Sequence, residues 1–368
     1  MKILVTGAKG FIGKNLISVL KTFPNYIVYP YDVDSSVEEL ELYTKDCSFI
    51  FHLAGVNRPS DPKDFMTGNY GFTQTLLSFL KKNNNKAPIM LASSIQAELN
   101  NPYGESKKAG ENLLIEYGKK NRSPILIYRF PNVFGKWCKP NYNSVVATFC
   151  YNIANHLPIQ ISDPNYLLNL IYIDDLVSSL ISLLNLNDYE ETFYSVTPVH
   201  QIKLGELANL IHDFKDSRQN RTIPSTIDPL TKKLYATYLS YLPENSFSYP
   251  LKMNIDQRGS FTEFIKTPDR GQVSINISKP GIVKGNHWHH TKNEKFLVVS
   301  GYGVIRFRNV LTDHVIEYRV SGEKLEVIDI PPGYTHNIEN LGSTDMVTVM
   351  WANEYFNPDR PDTIFLEV

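Results

Sequence analysis

The run Thr6-Gly7-Ala8-Lys9-Gly10-Phe11-Ile12-Gly13 decides how the first half of this 368-residue chain is read. An apolar stretch, Ile3 to Thr6, leads into it, and a helical pattern, Phe11 to Thr22, leads out. Glycines in such a turn let the backbone approach a pyrophosphate, and the helix N-terminus adds free N–H groups and a favourable dipole. Three glycines alone are a weak signal; their place between a buried strand and a helix makes it specific. Gly7, Gly10, Phe11, Ile12 and Gly13 are therefore the expected cofactor loop.

Outward from this turn, short apolar runs alternate with helical patterns. Tyr26 to Tyr29, Phe49 to Leu53, Ile89 to Ala92 and Ile125 to Tyr128 read as further buried strands. Thr73 to Lys82 and Ser106 to Lys120 read as helices between them. Strands alternating with helices predict a parallel, doubly wound α/β Rossmann-type sheet. Asp32 follows the second strand, 19 residues after Gly13. An acid there hydrogen-bonds a ribose 2′-hydroxyl and repels a 2′-phosphate. No arginine is close in sequence to welcome a phosphate, so the local reading favours NADH over NADPH. Asp34 could fill the same role.

From about Leu239 helical periodicity stops. Pro243 and Pro250 punctuate the chain, and short strands with regular turns follow: Gly271 to Ile277, Lys295 to Ser300, Val304 to Phe307, His314 to Val320, Lys324 to Ile328 and Met346 to Trp351. This all-β pattern suits a jelly roll. The expected division is a first domain over 1–243 and a second over 244–368.

Bulk composition excludes several classes. The chain is 42% hydrophobic, enough for a core in each half, and 37 basic against 38 acidic residues argue against a nucleic-acid partner. Its three cysteines, Cys47, Cys138 and Cys150, form no disulfide pattern and indicate a reducing compartment. Met1 to Val5 has no signal-peptide layout, and no apolar run reaches the roughly 18 residues of a membrane helix. A cytoplasmic protein without membrane partners is the expectation.

Two constellations carry chemistry. In Tyr103-Gly104-Glu105-Ser106-Lys107 the tyrosine and lysine are four apart, on one face of a helix. An ammonium beside a phenol lowers the phenol's pKa and readies it for proton transfer. Ser94 ends the strand that runs from Ile89 and offers a hydroxyl at the same sheet edge. In the second half, His287 and His289 are two apart and share a strand face, Glu294 follows a turn, and His336 arrives in Pro331-Pro332-Gly333-Tyr334-Thr335-His336. Three imidazoles and a carboxylate suit a first-row divalent ion, with zinc the expected one. His290 points away on an ideal strand and is not an expected ligand.

The first half resembles the extended short-chain dehydrogenase/reductase family. The matching pieces are Thr6 to Gly13, His52-Leu53-Ala54-Gly55, Asn69, Ser93-Ser94, Tyr103 with Lys107, and Arg129-Phe130-Pro131-Asn132-Val133-Phe134-Gly135, in the family's order over about 240 residues. The resemblance implies that Ser94 and Tyr103 polarise a carbonyl, that Tyr103 donates the proton, and that Lys107 holds the nicotinamide ribose. It places Leu53, Ala54, Gly55 and Asn69 along the cofactor, and Arg129, Asn132, Lys136 and Asn141 at the sugar nucleotide. Two departures stand out: only nine positions separate Ser94 from Tyr103, and Ile95-Gln96 replace the Asp-Glu pair of the family's 4,6-dehydratases. A reshaped lid and no dehydration follow.

The second half resembles the cupins, from Gly281 through His287, His289 and Glu294 to Gly301, and again from Pro331 to Asn340, where the family's upstream glycine is displaced. The resemblance implies that His287, His289, Glu294 and His336 bind the metal. Asp256 to Phe264 also looks like the opening segment of the dTDP-sugar 3,5-epimerases, in which the residues matching Arg258 and Glu263 grip the nucleotide and the position of His287 is a base. The two resemblances thus give His287 different tasks.

The pairing of halves resembles the bifunctional capsular-polysaccharide enzymes of UDP-N-acetyl-L-fucosamine biosynthesis, over essentially the whole chain. That likeness implies a UDP-linked 4-keto-6-deoxy-N-acetylhexosamine as substrate, C3 epimerisation in the cupin, 4-ketone reduction with NADPH in the first domain, and a homodimer. Two rivals are a reductase whose cupin only binds or dimerises, and an NAD-retaining 4-epimerase without net redox.

Overall fold

The computed structural model describes residues 1–186, 188–189 and 192–368. They form two compact units, one of residues 1–212 with 228–243 and one of residues 213–227 with 244–368. The division is thus not a single cut, because the segment 213–227 groups with the second unit.

The first unit is built on a six-stranded parallel sheet in the order Ile27–Tyr31, Lys2–Thr6, Phe49–His52, Ile89–Ser94, Ile125–Phe130, Phe193–Tyr194. Successive side chains of each strand point to opposite faces. Ile3 and Val5 accordingly join Phe49, Phe51, Met90, Leu126 and the helix residues Leu16, Leu20 and Leu176 in one core. Leu4 joins Ile50, Ile89, Leu91, Ile127 and the helix residues Leu40, Leu76 and Leu114 in the other. Helices on both faces of a parallel sheet are the doubly wound arrangement expected from the alternation. The first strand has later strands on both sides, so its C-terminal end is the switch point at which such sheets take ligands.

Helix boundaries depart from the periodic pattern where capping chemistry intervenes. The helix expected from Ser106 begins at Pro102, because the Asn101 side chain accepts the Gly104 N–H at 2.9 Å and proline suits the first helical position. This brings Tyr103 into the first turn, at the sheet edge.

The second unit is antiparallel throughout its two sheets. One runs Met253–Asp256, Gly259–Thr267, Gly271–Ser278, Met346–Ala352, Glu294–Ser300, Val327–Ile330, and the other Val315–Ser321, Tyr302–Asn309, Tyr334–Asn340, Val283–Trp288, Ile364–Phe365. Phe296, Val298, Ile330 and Met346 of the first meet Ile305, Phe307, Val320 and Ile338 of the second in a shared core. Each such buried side chain contributes about 1.5–3 kcal/mol. The strand expected at Lys324 to Ile328 lies at Val327–Ile330 instead. Among the described residues no helix is long and apolar enough to cross a membrane.

Candidate functional site

In the first unit the glycine turn forms a cradle that side chains would fill. A Cβ on Gly7, whose φ is +70°, would lie 2.7 Å from the Ala54 nitrogen, and one on Gly13 would lie 2.2 Å from the Gly7 oxygen. The helix Phe11–Leu20 starts at Gly10 with no side chain capping it and no acid in its first turn. Its first amides are therefore available to an anion. This cradle fits a dinucleotide pyrophosphate. Asp32 accepts the Lys9 N–H at 2.6 Å and the Val33 N–H at 2.8 Å, tying the turn to the end of the second strand. The Lys9 ammonium pairs with Asp34. A cation thus stands beside the two acids; sequence distance hid it, and the search for a nearby arginine missed it.

Asn69 sits in a π-helical turn, Met66–Gly71, and braces the Leu53–Gly55 segment. Its amide oxygen accepts the Val56 N–H at 2.9 Å, and its nitrogen donates to the Val56 oxygen at 3.1 Å and to Ser106 Oγ at 2.9 Å. Beneath it Thr6 Oγ1, His52 and Thr73 Oγ1 form a buried chain with 2.8 Å contacts at each imidazole nitrogen. Burial, helped by Lys107, lowers the His52 pKa to about 3 and keeps the ring neutral.

Ser94, Tyr103 and Lys107 lie together, but the phenol is not lowered as the Tyr-Lys spacing implied. The Lys107 ammonium lies 5.8 Å from the Tyr103 ring centroid and donates to the Ala92 oxygen at 3.2 Å. Burial raises the Tyr103 phenol, a hydrogen bond with Ser94 counters it, and nearby Tyr142 adds to the rise. Burial brings Lys107 down to about 8, against an opposing pull from Glu111. A Cβ on Gly55 would stand 2.9 Å from the Lys107 nitrogen, so that position admits only glycine without displacing the ammonium.

The expected sugar contacts divide. Asn132 and Asn141 line a ≈700 Å³ cleft with Arg58, Tyr142 and Asn143. Arg129 is instead committed within the protein: Nε and Nη2 reach the two oxygens of fully buried Glu111 at 2.9 and 2.7 Å, and Nη1 reaches Glu98 at 2.5 Å. Lys136 is paired with Asp174 at 2.5 Å and does not line the cleft. Both side chains are thus already paired, each with an acid supplied from another element.

In the second unit the donor atoms of His287, His289, Glu294 and His336 all lie within 4.8 Å of one another. Glu294 Oε2 is 3.5 Å from His289 Nε2 and 3.4 Å from His336 Nε2, and all three atoms are buried without a hydrogen-bond partner. Buried polar atoms left unpaired are costly, and four converging N/O donors are what a divalent ion takes. The residues fit a metal. Burial would raise Glu294, but His289 and His336 outweigh it and hold the carboxylate well below its usual range. Burial, with His336 and His289 beside it, brings His287 down to about 4, leaving a neutral ring with a lone pair to offer.

The cleft these four residues line measures ≈630 Å³ and includes Arg258, but not Glu263. Glu263 is held instead by Arg221 and Lys266, each at 2.9 Å. Arg258 itself carries Asp256 at 2.6 Å. Lys284 also lines the cleft, which strand alternation alone would forbid, since it is three residues from His287. A bulge between Gly285 and His287, with Asn286 at φ +58°, resets the parity. Lys284 then pairs with Ile338 and His287 with His336, two residues of one face.

A parallel sheet with a glycine cradle at its switch point and a Ser-Tyr-Lys set at the neighbouring strand end defines a nicotinamide-dependent short-chain enzyme. The chain belongs to the NAD dependent epimerase/dehydratase family, whose pattern matches residues 3–195. Residues 254–364 match the polysaccharide biosynthesis C-terminal domain. A UDP-2-acetamido-2,6-beta-L-arabino-hexul-4-ose reductase of Pseudomonas aeruginosa is 46% identical, over 99% of this chain and 98% of its own. The crystal structure of the capsular polysaccharide assembling protein CapF from Staphylococcus aureus superposes with a TM-score of 0.94 at 57% identity, covering both chains fully. CapF with the inhibitor 3-isopropenyl-tropolone superposes with a TM-score of 0.90 at 53% identity, again over both whole chains.

Proposed function

We propose that this chain is a bifunctional sugar-nucleotide enzyme of capsule-precursor synthesis, in which a metal-bearing cupin epimerises C3 of a UDP-2-acetamido-2,6-dideoxy-4-hexulose and the reductase domain then reduces the 4-ketone to the L-talo product. The observation that carries this reading is the four-ligand cluster in one unit of a chain whose other unit assembles Ser94, Tyr103 and Lys107. The name of the Pseudomonas relative supports the UDP-linked 4-hexulose as the substrate class. The family resemblance supports a homodimer, and the composition supports a cytoplasmic one. Reductase function is assigned to 1–243 and metal function to 244–368.

The order of steps follows from carbonyl chemistry. The proton on C3 is acidic only while C4 is a ketone, so epimerisation precedes reduction. A divalent ion held by His287, His289, Glu294 and His336 would supply Lewis-acid polarisation of that ketone. Arg258, in the same cleft, is held only by the exposed Asp256, and its largely exposed guanidinium is free to exchange that partner for the anionic end of the nucleotide. A reduced nicotinamide across the glycine turn would supply the hydride. Tyr103 then donates its phenolic proton to the C4 oxygen, Ser94 hydrogen-bonds the same oxygen, and Lys107 keeps positive charge beside the phenol as it ionises. Lys9 offers a cation to a 2′-phosphate and Asp32 an acceptor to a 2′-hydroxyl, so NADPH and NADH are both accommodated.

The deciding experiment incubates the zinc-loaded full chain in deuterium oxide with the UDP-4-keto substrate and no nicotinamide, and follows C3 by NMR. Deuterium gain at C3 is expected. No gain from a folded, zinc-loaded chain would reduce the cupin to a binding or dimerisation module.

A further inference from the structure

The His289 ring is held in one tautomer by a residue 73 positions away. Its Nδ1 lies 2.5 Å from the backbone oxygen of Asp362. A carbonyl can only accept, so Nδ1 carries the proton and Nε2 keeps the lone pair, 3.5 Å from Glu294. The Asp362 carboxylate in turn accepts the N–H groups of His290, Thr291 and Lys292 at 2.9, 2.9 and 2.8 Å, and the Thr291 hydroxyl at 3.1 Å. These three residues belong to the turn that joins His289 to Glu294. Around this residue, Lys292 Nζ donates to the Pro361 oxygen and to Thr363 Oγ1, and the strand Ile364–Phe365 pairs with His287 and Trp288.

We infer that Asp362 is a positioning residue of the metal centre: its carboxylate holds the turn that sets the His289–Glu294 separation, and by anchoring that turn keeps its own carbonyl against His289 Nδ1. The inference rests on the metal reading of the four-residue cluster, but not on the cupin being catalytic. Partners of this kind, one shell out from the ligands, change metal affinity about 10–100-fold when lost. Asp362 has φ +38°, a left-handed conformation that glycine adopts freely and asparagine tolerates.

Zinc affinity of the full chain is measured by competition with a chromophoric chelator, alongside the melting temperature of the metal-free protein. Asp362→Gly removes every carboxylate bond without backbone strain, and zinc should bind at least about ten-fold more weakly. Asp362→Asn, which retains one accepting oxygen, should fall between it and the wild type. The metal-free melting temperature should move little in either, and the cobalt(II) spectrum should change in Asp362→Gly. Zinc binding within about two-fold of wild type in Asp362→Gly would overturn the inference. So would an affinity loss matched by an equal loss of metal-free stability. A wild-type chain that takes up no divalent ion would sink the metal reading and this inference together, whereas an inert but metal-binding cupin would leave the inference standing.

Discussion

Arg129 grips both carboxylate oxygens of Glu111, a side chain with no exposure to solvent, and Ser93 Oγ adds a 2.6 Å bond to the same group. Lys108 also lies 3.5 Å from this carboxylate, so removing Arg129 leaves a buried charge only partly compensated, at a cost of up to about 3–5 kcal/mol. Arg129→Met should therefore lower the melting temperature of the first unit sharply. The double variant Arg129→Met/Glu111→Met should recover much of the loss, as measured by thermal unfolding followed by circular dichroism. An Arg129 variant with normal stability and a raised KM for the nucleotide sugar would restore it as a substrate contact.

The proposed proton donor is the next target. Tyr103→Phe removes the phenolic proton and keeps the ring, so ketone reduction should fall by about 10²–10⁴-fold. Nicotinamide affinity, followed by fluorescence titration, should hold, and C3 deuterium exchange should be untouched.

Lys107 introduces a pH dependence of defined sign. With its pKa lowered to about 8 in the folded chain, it loses its proton there, while the unfolded chain keeps one up to the ordinary lysine value of 10.5. Between those values the unfolded state binds more protons, so this residue's contribution to stability rises with pH; below about 8 its burial cost is fully present. Activity moves the opposite way, because the ammonium is needed beside Tyr103. The pH profile of kcat/KM for reduction should bend downward near 8, and Lys107→Met should have low, flat residual activity in that range.

Cofactor choice should turn on Lys9. Its ammonium stands among Asp32 and Asp34 and is the nearby cation that a 2′-phosphate needs. Lys9→Glu should raise KM for NADPH at least about ten-fold while KM for NADH stays within about two-fold, a difference that steady-state kinetics with both coenzymes would read directly.

The two chemistries should separate cleanly. Glu294→Gln, or a strong chelator, should abolish C3 exchange in the full chain. Reduction of a substrate already carrying the epimerised C3 should continue at the wild-type rate, followed by nicotinamide absorbance. Loss of both activities on chelation would mean that the metal supports the reductase as well.

Much of this was legible along the chain because it is local. The glycine turn, the Tyr103–Lys107 spacing on one helix face and the His287–His289 pair depend on residues within one or two turns of backbone, where period and steric rules act directly. The alternation that fills two cores around one parallel sheet is local in the same sense, since Ile3 and Val5 face one way and Leu4 the other. Boundaries slipped where a cap decided them, as at Asn101.

What only the tertiary structure decided are the partners brought in from afar. Glu111 pairs with Arg129, Asp174 with Lys136, and Arg221 and Lys266 with Glu263, so three side chains expected at the sugar nucleotide already have partners within the protein. Asp362 reaches His289 across 73 residues, and a single bulge at Asn286 turns Lys284 to the face that carries His287 and His336. The sequence by itself determined which side chains could do chemistry and on which element each sits. Which of them are free to do it depended on long-range packing, because a charged group in a folded chain takes the nearest opposite charge in space, whatever its distance along the backbone.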